Sequence, residues 1–396
     1  MLYAHLTKLK SQTSFMTSLM VTGATLAHIQ LLSPLMAAPL SNTKIENPRE
    51  WNAVKTGFDK NNYYYDLAKL YSQYVSWGVD PSNPASVNVP EAWKHFSPKK
   101  EIVVAVVDTG IDRNHPFLEK NIHVAEGKLS DHNYGMDFTK EKVIKTAPRD
   151  LQGHGSHVAG IIKSIYPEVK ILPLKFYAES ANGVENLNSE IEALRYAVDQ
   201  NVDIINYSGG GPVPSQDELR ILKEAERKGI IIVTASGNYE SNIDSPAKSY
   251  YPASYGLKNL IAVTAHDEDL KLLPSSNYGK ASVDIAAPGQ RIKSALNNGR
   301  IGYLTGTSQA TAFVTGVVAL MKAQHPKLPL EKYKEIITKS AKKEKHLEGK
   351  CASNGRLDAG KALILTKQLA GETQSNARDI AQTPTKEGKI IYRLKN

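Results

Sequence analysis

"IVVAVVD", residues 102–108, sets six apolar residues in a row, five of them β-branched, before a closing aspartate. A strand with one wet face would alternate apolar with polar residues. Here no polar position comes before the end, so both faces of the strand are buried. Similar runs recur at 169–177 ("VKILPLKFY"), 202–208 ("VDIINYS"), 230–236 ("IIIVTAS"), 260–265 ("LIAVTA") and 283–289 ("VDIAAPG"). Helical periods lie between several of them, at 154–165, 188–201 and 217–229. Strands of this kind separated by helices predict an α/β fold: a doubly wound, mostly parallel sheet with helices on both faces. In such sheets chemistry gathers at the carboxyl ends of the strands, which draws attention to Asp108 and to the loops after the other runs.

The composition fits a large globular domain with extensions: 396 residues, 41% hydrophobic and 22% charged. Much of the net charge of +9 sits around residues 321–350. There Leu330, Tyr333, Ile337 and Ala341 line one helical face and lysines fill the other. No aromatic-interleaved basic motif accompanies them, so no nucleic-acid partner is expected. The single cysteine, Cys351, excludes an intrachain disulfide and a thiolate metal cluster. Residues 1–38 have a basic start at Lys8 and Lys10, an apolar middle and a small-residue end, the pattern of a signal peptide. His28, Gln30 and several threonines interrupt the apolar stretch, so no stable membrane span is expected. Residues 39–80 read as a tyrosine-rich extension or short propeptide, 81–365 as the main domain, and 366–396 as a polar tail with one strand.

Asp108 ends the first run in "VVDTGID", His154 stands between two glycines in "GHGSHVAGI", and Ser308 opens a long apolar helix in "GTSQAT". Each has an ordinary structural reading: a turn cap, a packed histidine, a helix N-cap. Together they put a carboxylate, an imidazole and a hydroxyl at element ends of a parallel α/β chain. A serine is a weak nucleophile until a base within hydrogen-bond reach takes its proton, and that base needs a third group to orient it. Asp, His, Ser is one of the chain orders in which such sets occur. His157, three residues after His154, raises the alternative of a metal pair. A zinc site needs a third ligand, and the sequence holds neither an H-E-x-x-H pattern nor a cysteine cluster. No metal is expected at this pair, and His157 is expected to satisfy a local polar group.

The chain resembles the subtilisin-like serine proteases, the subtilases. "VVDTGID", "GHGSHVAGI", "INYSGGG", "TASGN", "SNYGKASVDIAAPG" and "GTSQAT" match the family's motifs in order, and "NGRLDAGKAL" (354–363) its closing segment. The resemblance implies a serine endopeptidase in which Asp108 orients His154, His154 is the general base and Ser308 the nucleophile. It makes the Asn238 side chain an oxyanion donor beside the Ser308 backbone N–H. It makes Ser208, Gly209 and Gly210 the segment that pairs with substrate backbone, the missing side chains leaving room for the peptide. Gln309 stands where the family usually has Met, Ala312 and Phe313 where it has Pro-His, and Ser156 where Thr is common. Those changes predict a less rigid start to the nucleophile helix. Tyr250, in "KSYYPASYG", falls where a small residue often lines the specificity pocket, which would shorten that pocket.

The resemblance implies protein or peptide substrates and no cofactor for the chemistry. Relatives often bind a structural calcium, yet no EF-hand loop or ligand set is readable here. A monomer, secreted or held in the cell envelope or periplasm, is the remaining expectation.

Overall fold

The computed structural model describes residues 74, 76–124, 133–140, 146–378, 381–384 and 390–393. The expected signal segment and most of residues 39–80 lie outside the described residues.

The apolar runs form strands β1 (Val103–Asp108), β3 (Lys170–Lys175), β4 (Ile204–Tyr207), β5 (Ile231–Ala235), β6 (Leu260–His266) and β7 (Ile285–Pro288), with a short β2 (Met136–Asp137) between the first two. A hairpin follows, β8 (Ile292–Ala295) and β9 (Ile301–Leu304), then β10 (Lys342–Lys343) and β11 (Gly355–Arg356). The main sheet has nine strands in the order β10-β11-β7-β6-β5-β4-β1-β3-β2. Its neighbours run parallel, except for β10 against β11. β1 pairs with β3 on one side (Val104 opposite Ile171) and with β4 on the other (Val104 opposite Ile204).

Alternate residues of each strand enter different cores, which is why the runs are apolar throughout. Val104, Val106, Ile204, Val233 and Val263 face helices α1 (Val89–Lys94), α2 (His154–Ile165) and α5 (Thr307–Gln324). Ala105, Val107, Ile205, Tyr207 and Ile232 face α3 (Gly183–Asp199) and α4 (Gln216–Arg227). Every residue of α5 is buried. It lies against α2 so closely that a Cβ on Gly316 would come 2.5 Å from Ile165 Cβ.

Several boundaries differ from the sequence expectation. α3 starts five residues before position 188, because Asn182 and Glu185 form a capping box ahead of the apolar periodicity. α6 (Leu330–Lys339) buries Tyr333, Ile336 and Ile337, while Ala341 is buried beyond its end. Its lysines are partly paired: Lys334 with Asp284 at 3.1 Å, and Lys332 and Lys339 with Glu335. α7 (Ala359–Arg378) runs across position 365, and an antiparallel pair follows, β12 (Ala381–Pro384) with β13 (Ile390–Arg393), giving two strands where one was expected. At the other end Tyr74 and Val79 belong to the main core, the Tyr74 ring stacked 4.4 Å from Phe117. Among the described residues no helix is long and apolar enough to cross a membrane.

From β1 the chain crosses to β3 on one side, and from β4 it crosses to β5 on the other. The crevice between the carboxyl ends of β1 and β4 is therefore the switch point of the sheet, where ligands bind in open α/β folds. Asp108 ends one of these strands and Ser208 follows the other.

Candidate active site

Asp108 is buried at the end of β1, and its Oδ1 accepts a 2.7 Å hydrogen bond from His154 Nδ1 and a 2.8 Å bond from the Thr109 amide. His154 is the first residue of α2. The preceding Gly153 has φ 99°, and a Cβ on the following Gly155 would stand 2.0 Å from the Gly110 carbonyl oxygen. Only glycine lets the helix start meet the β1 loop this closely. Burial alone would push the His154 ring to a lower pKa. The charge and hydrogen bond of Asp108, with the charge of Asp150 behind them, outweigh burial and hold the ring above the ordinary histidine value.

Asp150 escaped the sequence reading. Its Oδ1 accepts from Thr109 Oγ1 (2.9 Å), the Gln152 amide (3.0 Å) and the Gly153 amide (2.7 Å). Its Oδ2 accepts from the Ser156 amide (2.9 Å) and hydroxyl (2.7 Å). Thr109 Oγ1 accepts in turn from the Gly155 amide at 2.9 Å, so one carboxylate ties the Asp108 loop to the turn that carries His154. An aspartate three residues ahead of a glycine turn is a local sign of such capping. Ser156 also accepts from the Asp112 amide, so this position needs a hydroxyl, which Ser and Thr both supply.

His157 is fully buried, and its Nε2 lies 2.8 Å from the Ile292 carbonyl of β8. Burial, then the neighbouring His154, push it down to about 3, so the ring is neutral and Nε2–H is the donor. It satisfies a local polar group, as expected. Among the described residues no three His, Cys, Asp or Glu side chains gather as a metal site.

Ser308 is the second residue of α5 and does not cap it. Its hydroxyl donates to the Ser208 carbonyl at 3.3 Å, longer than the usual O–H···O bond. The structure thus joins Asp108 to His154 and turns Ser308 toward the segment after β4. Asn238 is exposed in the loop after β5, and its Oδ1 accepts from the Thr307 amide (3.0 Å) and hydroxyl (3.1 Å). Two donors on one atom identify it as the oxygen, which leaves the Nδ2 hydrogens available beside Ser308. The Asn206 side chain, buried on β4, donates to Ser208 Oγ (3.0 Å) and accepts from Thr315 of α5 (2.8 Å).

Gly209 and Gly210 are also required by the protein's own packing. A Cβ on Gly209 would lie 2.7 Å from the Tyr207 ring, and one on Gly210 would lie 2.3 Å from the Tyr251 carbonyl oxygen. The protein's own packing already requires glycine there, so room for a peptide is not the sole reason. Tyr250 is buried with its ring between two glycines. A Cβ on Gly210 would come 2.7 Å from Cε1, and one on Gly237 3.0 Å from Cε2. It fills the space between the segment at 208–210 and the loop of Asn238. The start of α5 lacks the usual proline but is held by burial: Phe313 fills the space over Gly78, where a Cβ would come 2.5 Å from its Cζ.

A carboxylate bonded to an imidazole, a serine at a helix start and an anchored amide, all at the switch point of a parallel sheet, are the parts of a serine hydrolase. The chain belongs to the subtilase family, whose model matches residues 99–361, and with it to the serine endopeptidases. It is 35% identical over 252 residues to the major intracellular serine protease of Bacillus subtilis (strain 168), covering 61% of this chain and 75% of that one. It is 34% identical over 277 residues to the thermophilic serine proteinase of Bacillus sp. (strain AK1), covering 66% and 62%. It is 31% identical over 269 residues to subtilisin NAT of Bacillus subtilis subsp. natto, covering 66% and 64%. Among solved structures, a subtilase cytotoxin SubAB assembly aligns at TM-score 0.62 and 24% identity over 76% of this chain and 100% of that one. A cold adapted subtilisin-like serine proteinase aligns at 0.58 and 24%, over 72% and 98%. Both share the fold.

Proposed function

We propose that the chain hydrolyses peptide bonds through an acyl-enzyme on Ser308, with His154 as the base and Asp108 orienting it. The observation that carries this is the 2.7 Å bond from His154 Nδ1 to Asp108. It fixes the ring so that Nε2 is the free nitrogen and raises its basicity. A substrate strand laid along Ser208–Gly210 places its own N–H on the Ser208 carbonyl, the acceptor that Ser308 uses in its absence. The displaced hydroxyl turns to Nε2, gives up its proton and attacks the scissile carbonyl. Asn238 Nδ2 and the Ser308 amide receive the oxyanion, an Asn donor of this kind being worth roughly 3 kcal/mol in subtilisin. His154 returns the proton to the leaving amine, and water repeats the cycle on the ester.

No step calls for a metal or cofactor, so chelation leaves the chemistry intact. Tyr250 closes the space beside the scissile residue, which favours a small side chain there. Residues 1–38 direct export in this reading. Two relatives are named as intracellular enzymes, so that part rests on the segment's pattern alone. The enzyme acts as a monomer. The test is casein cleavage: Ser308→Ala and His154→Ala abolish it, and His157→Ala retains it in whatever fraction stays folded. Full activity of Ser308→Ala defeats the assignment.

A further inference from the structure

A cleft opens beside His154 and Asp108, lined by Ser208–Gly210, Phe176, Tyr177 and Leu187. One charged residue besides the Asp108–His154 pair reaches it, Glu190 of α3, which is 7% exposed. Glu218 of α4 stands close behind, buried, its carboxylate accepting from the Tyr255 hydroxyl at 2.8 Å. The Tyr207 hydroxyl is fully buried beside both carboxylates. Among the described residues no cation acts on Glu190 or Glu218, and the titratable groups that do act on Glu190 are a second acid and tyrosines. Burial and the Glu218 charge therefore hold Glu190 well above the usual carboxylate range.

An acid kept this deep without a cation is costly, and a hydrophobic residue would pack there at less expense. The cost falls away once a ligand brings the cation. We propose that Glu190 selects substrates by binding a basic side chain, arginine or lysine, that enters the cleft from the strand held on Ser208–Gly210. Phe176 and Tyr177 offer ring faces to the aliphatic stem and the guanidinium, while the carboxylate takes its N–H donors. The Tyr207 hydroxyl supplies one more polar contact behind the carboxylate. This inference rests on the proposed substrate strand and names the substrate class of that same site.

Fluorogenic peptides with one fixed scissile residue test it. Arg, Lys and norleucine are moved in turn through the positions on the acyl side, and kcat/KM is compared. Norleucine matches the lysine stem without its charge, so the ratio isolates the cation. The wild-type enzyme prefers Arg or Lys over norleucine by about tenfold or more at one position. Glu190→Gln brings that ratio to about one at that position and leaves the other positions' ratios alone. A ratio near one at every position, or a preference that survives Glu190→Gln, overturns the proposal. The wild-type profile decides the first point even if the variant fails to fold. An enzyme that cleaves the peptides and takes a fluorophosphonate label but shows a flat profile loses only this inference. One that neither cleaves nor labels loses the endopeptidase reading beneath it.

Discussion

Asp150 accepts five hydrogen bonds from the loop after Asp108 and from the turn and helix start around His154, and its charge adds to the rise in the His154 pKa. The base must be unprotonated to act, and its pKa lies above the ordinary value, so kcat/KM falls as pH drops through a point above 6.5. Asp150→Asn removes the charge and turns acceptors into donors. It moves that acid limb to lower pH and reduces kcat/KM by about 10- to 100-fold, the scale of one to two buried hydrogen bonds. A pH–rate profile with an unshifted limb would show that Asp150 acts only on stability. Gln309 is buried next to Ser308, whereas Met321 is buried in α5 and Met136 lies in β2, away from the site. Millimolar peroxide therefore leaves most activity, and Gln309→Met inactivates faster because its sulfoxide would stand beside the oxyanion donors. Equal inactivation rates would remove position 309 from the site. Asp108, His154 and Ser308 were legible because each carries its own local setting of strand end, flanking glycines or helix start. Glu190 was not. In an amphipathic helix a glutamate reads as solvent-facing, and it is the tertiary packing of α3 that buries it.

At the level of elements, the spacing of two helices sets the distance between base and nucleophile. α2 carries His154 and α5 carries Ser308, and Gly316 lets α5 approach Ile165 at the far end of α2. Gly316→Ala inserts a methyl group where 2.5 Å is available. It costs about 1–3 kcal/mol of stability, as overpacking usually does. It also lowers kcat more than KM, because the reacting groups separate while the substrate strand stays in place. A destabilised variant with unchanged kcat would contradict this link. The same spacing was beyond the sequence: a glycine inside a helix shows that something comes close, not what. The start of α3 was missed for another reason. The Asn182–Glu185 box lies ahead of the apolar residues from which the helix was read.

Across the whole molecule, buried titratable groups oppose one another. His157 and His266 are held down to about 3 and 4, so below pH 6.5 the unfolded chain takes up protons that the native one refuses, and acid destabilises. Glu218 is held up to about 7, so above pH 4.5 the unfolded chain releases a proton that the native one keeps, and stability falls as pH rises through that window. Glu218→Gln removes the second effect. Its Tm exceeds that of the wild type most above pH 7, and the gain shrinks toward pH 4.5. A gain independent of pH would place no buried charge at Glu218. The overall architecture was the most legible part, since strands apolar on both faces leave little choice but a covered parallel sheet. The two-core alternation and the switch point that gathers the site needed the strand order. One measurement bears most directly on the central claim: labelling of the active enzyme with a fluorophosphonate, followed by peptide mapping. The label is expected on Ser308 alone, and His154→Ala should suppress it. Modification of another serine, or equal labelling of the His154→Ala protein, would contradict the account.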